Sequence, residues 1–126
     1  MSLVRVLLVD QSPLVRAALR DVLAAEPDVD VVADTGDGAE AIRLATWHRP
    51  SVAVFDAQLE GQPLRALRLF HQHQPRVGII AFSGLDLQLS AKQLKSMGIA
   101  ELLFKGVHIQ LVLDAVCRVA RNADHP

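Results

Sequence analysis

The chain lacks the features that would place it outside the cell or in a membrane. Its single cysteine, Cys117, cannot form an internal disulfide, and we expect a small core residue in a reducing cytoplasm. No apolar run approaches the ~20 residues that span a bilayer. The N-terminus begins with a strand pattern rather than with a basic region and an apolar stretch, so no signal peptide is indicated. These absences predict a cytoplasmic domain without a membrane partner.

The chain also lacks an excess of charge and is poor in aromatic residues. A formal net charge of −1 gives no general attraction to nucleic acid or membrane phosphates. The aromatic residues are Trp47 and four Phe, so Leu, Val, Ala and Ile must form most of the core. A length of 126 residues with 51% hydrophobic residues suits one domain with its own core. We assign residues 1–121 to this domain and 122–126 to a tail or the start of a linker to an output domain outside this chain.

Strand and helix patterns alternate along the whole chain. Short apolar runs indicate strands that are buried on both faces, whereas apolar residues at a 3.6-residue spacing indicate helices between them. A fourth helix is expected over Asp86–Met97, closed by Gly98. The predicted strands are Val4–Val9, Val29–Ala33, Val52–Phe55, Val77–Phe82 and Glu101–Phe104.

Five strand–helix units with short connections predict an α/β fold: a doubly wound five-stranded parallel sheet with helices on both faces. Two strand orders fit this pattern, the flavodoxin-like order 2-1-3-4-5 and a half-Rossmann sheet. In the flavodoxin-like order the ligand crevice lies between strands 1 and 3. Asp10 and Asp56 end those two strands, and this placement of charge favours the flavodoxin-like order.

Four polar residues stand where apolar runs end: Asp10, Asp56, Ser83 and Lys105. The carboxyl ends of parallel strands meet at one rim of the sheet, so these side chains are expected to form one site. A carboxylate pair suits Mg²⁺, and a carboxylate can also attack phosphorus to form an acyl phosphate. Lysine and serine would supply positive charge and a hydrogen-bond donor to the transferred group. The pattern therefore favours phosphoryl chemistry.

Four features of the sequence stand together: the segment Val4–Arg16, the turn Gly36–Ala41, Asp56, and Lys105 after a phenylalanine. In these features the chain resembles the receiver domain of two-component response regulators, and most closely those that precede a LuxR-type helix-turn-helix. The resemblance implies that Asp56 accepts a phosphoryl group. The other roles that it implies are a Mg²⁺-site acid for Asp10, a metal ligand for the Gln58 backbone carbonyl, a phosphoryl contact for Lys105, and closure onto the modified aspartate for Ser83.

The resemblance also implies partners. The phosphoryl donor would be a phosphohistidine on a sensor histidine kinase or a small acyl phosphate, and the signal would pass to an output domain or a partner. DNA binding would belong to a downstream domain absent from this chain. The domain would be no enzyme beyond catalysing its own phosphorylation and dephosphorylation. Extra apolar residues on the last two helices, Leu85 and Leu111 among them, indicate a homodimer, output docking or simple burial.

Three residues depart from the family pattern. Gln11 stands where receivers usually have a second acid, and we expect weak Mg²⁺ binding, with the amide oxygen as a substitute ligand. Leu102 replaces the usual aromatic residue three positions before the lysine, and Glu60 replaces a proline four positions after the acceptor. These departures leave open a divergent receiver that acts as a phosphorylation-independent interaction module.

Other functions match the sequence less well. Gly36–Ala41 fits a dinucleotide fingerprint but follows the second strand and leaves Ser83 and Lys105 unexplained. A phosphatase with an aspartate nucleophile would need a second acid where Gln58 stands, and an FMN protein would need a different loop after Asp10. None of the five histidines has a partner at metal-ligand spacing, and we expect these residues at the surface or in loops: His48, His71, His73, His108 and His125.

Overall fold

The computed structural model describes residues 3–106 and 109–123. Within these residues five strands alternate with five α-helices, and a short 3₁₀ turn precedes the third helix. The elements are β1 (Val4–Val9), α1 (Pro13–Ala24), β2 (Val29–Thr35), α2 (Gly38–His48), β3 (Val52–Asp56), α3 (Arg65–His73), β4 (Gly78–Ser83), α4 (Ala91–Ser96), β5 (Ile99–Phe104) and α5 (Gln110–Ala123).

The strands form one parallel sheet in the order β2-β1-β3-β4-β5. This confirms the predicted flavodoxin-like order and excludes the half-Rossmann alternative. Sequential strands lie next to each other except for β2 and β3, which are separated by β1. The direction of winding therefore reverses between β1 and β3, and a crevice opens at their carboxyl ends.

Helices cover both faces of the sheet, and each face has its own core. Successive residues of β1 point to opposite faces, so Val6 and Leu8 pack with α1 and α5, whereas Leu7 and Val9 pack with α2 and α3. All four of these residues are fully buried. This double burial explains why the strands are nearly continuous apolar runs.

Capping side chains mark the starts of two helices, and Gly98 follows the end of α4 as predicted. The Ser12 side chain accepts a hydrogen bond from the Val15 amide at the start of α1, and Asp37 caps α2 in the same way. Gly98 has a φ of +69°, a conformation that glycine adopts without strain, and the His71 ring packs against it. A side chain at position 98 would collide with that ring.

The fourth helix is shorter than predicted, because it starts at Ala91 and not at Asp86. Ser90 and Gln93 form a reciprocal capping box, in which each side chain bonds to the other residue's backbone nitrogen. This cap fixes the helix start. Leu87 still packs against the core, but from the loop before the helix.

The last helix, α5, includes residues 122 and 123, which the sequence assigned to a tail. Residues 124–126 of that expected tail, together with His108 and His125, lie outside the described residues. Among the residues on which the structure is defined, no helix combines the length and apolar character needed to cross a bilayer.

An ion-pair cluster fixes α1 against β2. Asp34 on β2 lies 3.0 Å from Arg16 Nε and 2.5 Å from Arg20 Nη2. A second nitrogen of Arg16 donates to the backbone carbonyl of Asp10. The cluster therefore links β2 and α1 to the residue at the carboxyl end of β1.

We expect Asp34→Asn to lower the free energy of unfolding by about 0.5–1 kcal/mol at neutral pH, as for a partly exposed ion pair. The hydrogen bond from Arg20, with help from Arg16, lowers the pKa of Asp34. A carboxylate with a lowered folded-state pKa stabilises fully above its ordinary value of about 4, and this stabilisation disappears as the pH falls through the lowered pKa. Urea unfolding should therefore show a gap between wild type and variant that narrows below about pH 4.

The matched control is Asp21→Asn, because Asp21 is exposed on α1 and has no ion pair among the described residues. It should leave the unfolding curves unchanged. An equal loss of stability in both variants, or a gap independent of pH, would contradict this role of Asp34.

Candidate functional site

The carboxyl ends of four strands bring the predicted polar residues to one rim. Asp10, Asp56 and Ser83 are almost fully buried there, at 2%, 3% and 1% exposure. The side chain of Lys105, just after β5, is 26% exposed. Backbone pairing sets these positions, since the Lys105 amide donates to the Ser83 carbonyl at 2.7 Å.

Lys105 bridges the two carboxylates. Its ammonium nitrogen lies 2.9 Å from Asp10 Oδ2 and 3.3 Å from Asp56 Oδ1. The same nitrogen lies 5.6 Å from the centre of the Phe82 ring, a distance at which a cation and an aromatic face attract each other. Buried carboxylates need such a counter-charge, because an unpaired charge in this environment is strongly unfavourable.

Backbone amides hold one oxygen of each carboxylate. The Ser12 amide donates to Asp10 Oδ1 and the Gln58 amide to Asp56 Oδ1, both at 2.9 Å. Among the described residues, Oδ2 of Asp56 has neither a hydrogen bond nor an ion pair. Asp56 thus presents one constrained oxygen and one oxygen with free lone pairs.

Ser83 makes no hydrogen bond to Asp56 within the described part of the chain. Its hydroxyl donates to the Leu85 carbonyl at 2.6 Å and accepts from the Leu85 amide at 3.0 Å. It also accepts from the side-chain nitrogen of Gln58 at 2.8 Å. The structure therefore places Ser83 at the rim but directs its hydroxyl toward the loops that follow β3 and β4.

Gln11 reaches the loop after β3. Its side-chain oxygen accepts from the Glu60 amide at 3.4 Å, and the Glu60 carboxylate accepts from the Gly38 amide at 3.0 Å. Glu60 itself has a φ of 63°, an unusual backbone conformation for a residue other than glycine. These contacts tie the β3–α3 loop to the start of α2.

The oxygen groups at the rim are of the type that Mg²⁺ prefers as ligands. Asp10 and Asp56 offer carboxylate oxygens, and the Gln58 carbonyl accepts one bond from the Gly61 amide at 3.0 Å, which leaves a second lone pair. Within residues 3–106 and 109–123, however, no cluster of three or more acidic, His or Cys residues could hold a metal. The donor set suits a hard cation but carries less negative charge than a site with a third carboxylate.

A cavity of about 240 Å³ opens beside Lys105. It lies between the start of α1 and the start of α5, and its lining is mostly apolar: Leu14, Val15, Ala18, Phe82, Lys105 and Ile109. Leu14 is 83% exposed, an unusual environment for a large apolar side chain next to a charged site.

The sequence identified the residues that carry charge at the site but missed two parts of its framework. No role was predicted for the side chain of Gln58, which donates to Ser83 and accepts from the Gly84 amide. The Arg16 contact to the Asp10 carbonyl was also missed, although Arg16 stands one helical turn after the Ser12 cap.

The extra apolar residues that the sequence places on the last two helices divide between core and surface, and Leu85 lies in the loop before α4. Leu113 is buried in the core with α1, whereas Leu111 and Leu85 are 44% and 53% exposed. Burial raises the pKa of the Cys117 thiol, which packs against the same core. Simple burial thus accounts for part of the apolar surplus.

Known proteins share this architecture. The family model of the response regulator receiver domain matches residues 6–117. The transcriptional regulatory protein LiaR of Bacillus subtilis is 41% identical over 59 residues, which cover 47% of this chain and 28% of LiaR. The chain thus spans less than a third of that relative's length.

Two solved structures are similar over nearly the whole chain. The receiver domain of NarL from Mycobacterium tuberculosis is 26% identical, with a TM-score of 0.83 over 96% of this chain and 98% of that one. A LuxR-family response regulator from Aurantimonas sp. SI85-9A1 is 29% identical, with a TM-score of 0.81 over 96% of this chain and 87% of that one. The sheet order and these matches agree that the chain belongs to the family of response regulator receiver domains, with LuxR-family regulators among its homologues.

Proposed function

We propose that this domain accepts a phosphoryl group on Asp56 from a phosphohistidine of a sensor histidine kinase and relays the signal to an output domain or partner. One observation carries the proposal: Lys105 lies between two buried carboxylates, and Oδ2 of Asp56 has no hydrogen bond or ion pair among the described residues. That arrangement offers a nucleophile and a fixed positive charge side by side. Phosphoryl transfer depends mainly on such positioning and charge neutralisation.

In the proposed transfer, Asp56 Oδ2 attacks phosphorus and forms a new P–O bond. The P–N bond to the donor imidazole breaks, and its electron pair stays on the ring nitrogen. Lys105 neutralises charge that develops on the phosphoryl oxygens, while the Gln58 amide keeps Oδ1 in place. Asp10, Asp56 and the Gln58 carbonyl would hold Mg²⁺, which when bound neutralises further charge on the transferred group.

Gln11 weakens the metal site in this proposal. A carboxylate at position 11 would add a negative charge beside Asp10, whereas the amide of Gln11 is neutral and already accepts from the Glu60 amide. Mg²⁺ gives up its water reluctantly, so a neutral ligand compensates poorly for that loss. We therefore propose weak Mg²⁺ binding and slow phosphorylation.

A divergent, phosphorylation-independent interaction module is the second candidate. The observation that favours it is the double ion pair of Lys105, which already gives both carboxylates a cation. Dinucleotide binding has less support, because the Glu60 carboxylate occupies the Gly38 amide at the start of α2, where a pyrophosphate would bind.

The cavity beside Lys105 and the exposed leucines indicate where the proposed partners would bind. A kinase would approach through the apolar cavity beside Lys105, where Leu14 is exposed. Leu85 and Leu111 offer apolar contacts for an output domain or a second copy. We place the domain in the cytoplasm and assign any DNA binding to an output domain outside this chain.

Incubation with acetyl phosphate and Mg²⁺ should add one phosphoryl group to the protein, as measured by intact-protein mass spectrometry. Asp56→Asn should abolish the gain, because the amide is a poor nucleophile. Asp21→Asn, an equivalent change at an exposed site, should leave the gain intact. Modification that persists in Asp56→Asn would rule out this acceptor, and no modification of the wild type would favour the interaction module.

Gln11→Asp should bind Mg²⁺ about tenfold more tightly, the factor that corresponds to ~1.4 kcal/mol of added attraction. Isothermal titration measures the affinity directly, and the phosphorylation rate should rise in parallel. The control is Gln72→Asp, which makes the same charge change at an exposed position on α3. Equal affinities in wild type and Gln11→Asp would show that Gln11 does not limit metal binding.

A further inference from the structure

The side chain of Gln58 joins the loops that follow β3 and β4. Its amide nitrogen donates to Ser83 Oγ at 2.8 Å, and its amide oxygen accepts from the Gly84 backbone nitrogen at 2.9 Å. Both lengths are those of well-formed hydrogen bonds. The phosphoryl transfer proposed above uses only the backbone of Gln58, so it assigns no part to this side-chain bridge.

The bridge completes the hydrogen bonding of Ser83. A serine hydroxyl has one donor hydrogen and two acceptor lone pairs. The donor is used by the Leu85 carbonyl, and the acceptors are used by the Leu85 amide and the Gln58 side chain. Ser83 therefore has no free hydrogen-bonding capacity, and at 1% exposure it cannot recover a lost bond from bulk water.

The backbone of Gln58 is bound to the carboxylate that would be modified. Its amide donates to Asp56 Oδ1 at 2.9 Å, a bond strengthened by the charge of the carboxylate. Attack through Oδ2 would turn Oδ1 into the neutral carbonyl oxygen of an acyl phosphate. That change weakens the bond to the Gln58 amide, so modification acts directly on the residue that carries the bridge.

We propose that Gln58 is a positioning residue whose side chain holds Ser83 and Gly84 in the unmodified state, and that its release frees the Ser83 hydroxyl for the phosphoryl group. The proposal deepens, and rests on, the proposed acceptor role of Asp56. The proposal depends on one juxtaposition: the residue whose backbone amide binds Asp56 Oδ1 is also the residue whose side chain binds Ser83. We call the two side-chain bonds of Gln58 the latch.

The latch connects the loop after β3 to the end of β4 and the loop that follows it through hydrogen bonds. Leu102 is half-buried and packs against the core cluster that includes residues of α2 and α3, and its aliphatic side chain makes no hydrogen bond. Gln58, by contrast, lies in the loop after β3, two residues after the acceptor, and bonds to Ser83 at the end of β4 and to Gly84 in the next loop. A ligand or modification shifts a two-state element only through contacts that differ between the states, and the latch supplies such contacts.

Hydrogen exchange at the Gly84 amide tests the latch, because that amide donates to Gln58 Oε1. In the unmodified protein, the Gly84 amide should exchange about tenfold faster in Gln58→Leu than in wild type, as expected for one lost hydrogen bond. Gln88→Leu is the matched control, since Gln88 is exposed in the same loop and makes no hydrogen bond within the described residues. It should exchange like wild type.

A second variant separates the two bonds of the latch. Gln58→Glu keeps an oxygen for the Gly84 amide but removes the donor to Ser83, so it should retain Gly84 protection. The amide of Val54, in the middle of β3, checks that each variant is folded. Equal Gly84 exchange in wild type and Gln58→Leu, with Val54 protected in both, would overturn the latch.

Phosphorylation of Asp56 distinguishes a latch that is released on modification from a hydrogen bond that only holds the loop in place. Gly84 exchange should accelerate on modification in the wild type and stay constant in Gln58→Leu, where the latch is already absent. Acceleration of equal size in both proteins would overturn the release step. If neither protein accepts phosphate, the proposed function fails, while the unmodified comparison still decides whether Gln58 holds the loop.

Discussion

The rim of this domain depends on the ammonium group of Lys105. It lies within 3.3 Å of one oxygen on each of two carboxylates that are nearly fully buried. Two adjacent carboxylates in such an environment raise each other's energy when both are charged, and a bridging cation removes most of that cost. Asp10 and Asp56 can therefore end neighbouring strands β1 and β3 only because β5 delivers a lysine to the same place.

Contacts elsewhere in the fold hold Asp10 at this position. Asp10 is held on three sides, by the Ser12 amide, by Lys105, and through its carbonyl by Arg16. Arg16 in turn is bound to Asp34 on the edge strand β2. A continuous set of charged contacts thus runs from the sheet edge to the acceptor site, so the geometry of the rim depends on the packing of α1 against β2.

The sheet and the charged residues could be predicted from the sequence because burial on both faces leaves a clear pattern. A strand that packs against helices on each side tolerates polar residues only at its end, so Asp10, Asp56 and Ser83 mark strand ends and site at once. Contacts made by loops leave no such periodic pattern. The Gln58 bridge depends on a tertiary hydrogen bond, and the start of α4 at Ala91 depends on the side-chain cap of Ser90 and Gln93.

Gln11 lowers the negative charge that the rim offers to a metal ion. With a neutral amide at position 11, two carboxylates face one ammonium, and a single net negative charge remains. A third carboxylate would leave that charge doubled, and the attraction for a dication would rise with it. Here Lys105 therefore supplies a larger share of the neutralising charge. Any dication that enters must compete with an ammonium that is covalently tethered and already in contact with both carboxylates.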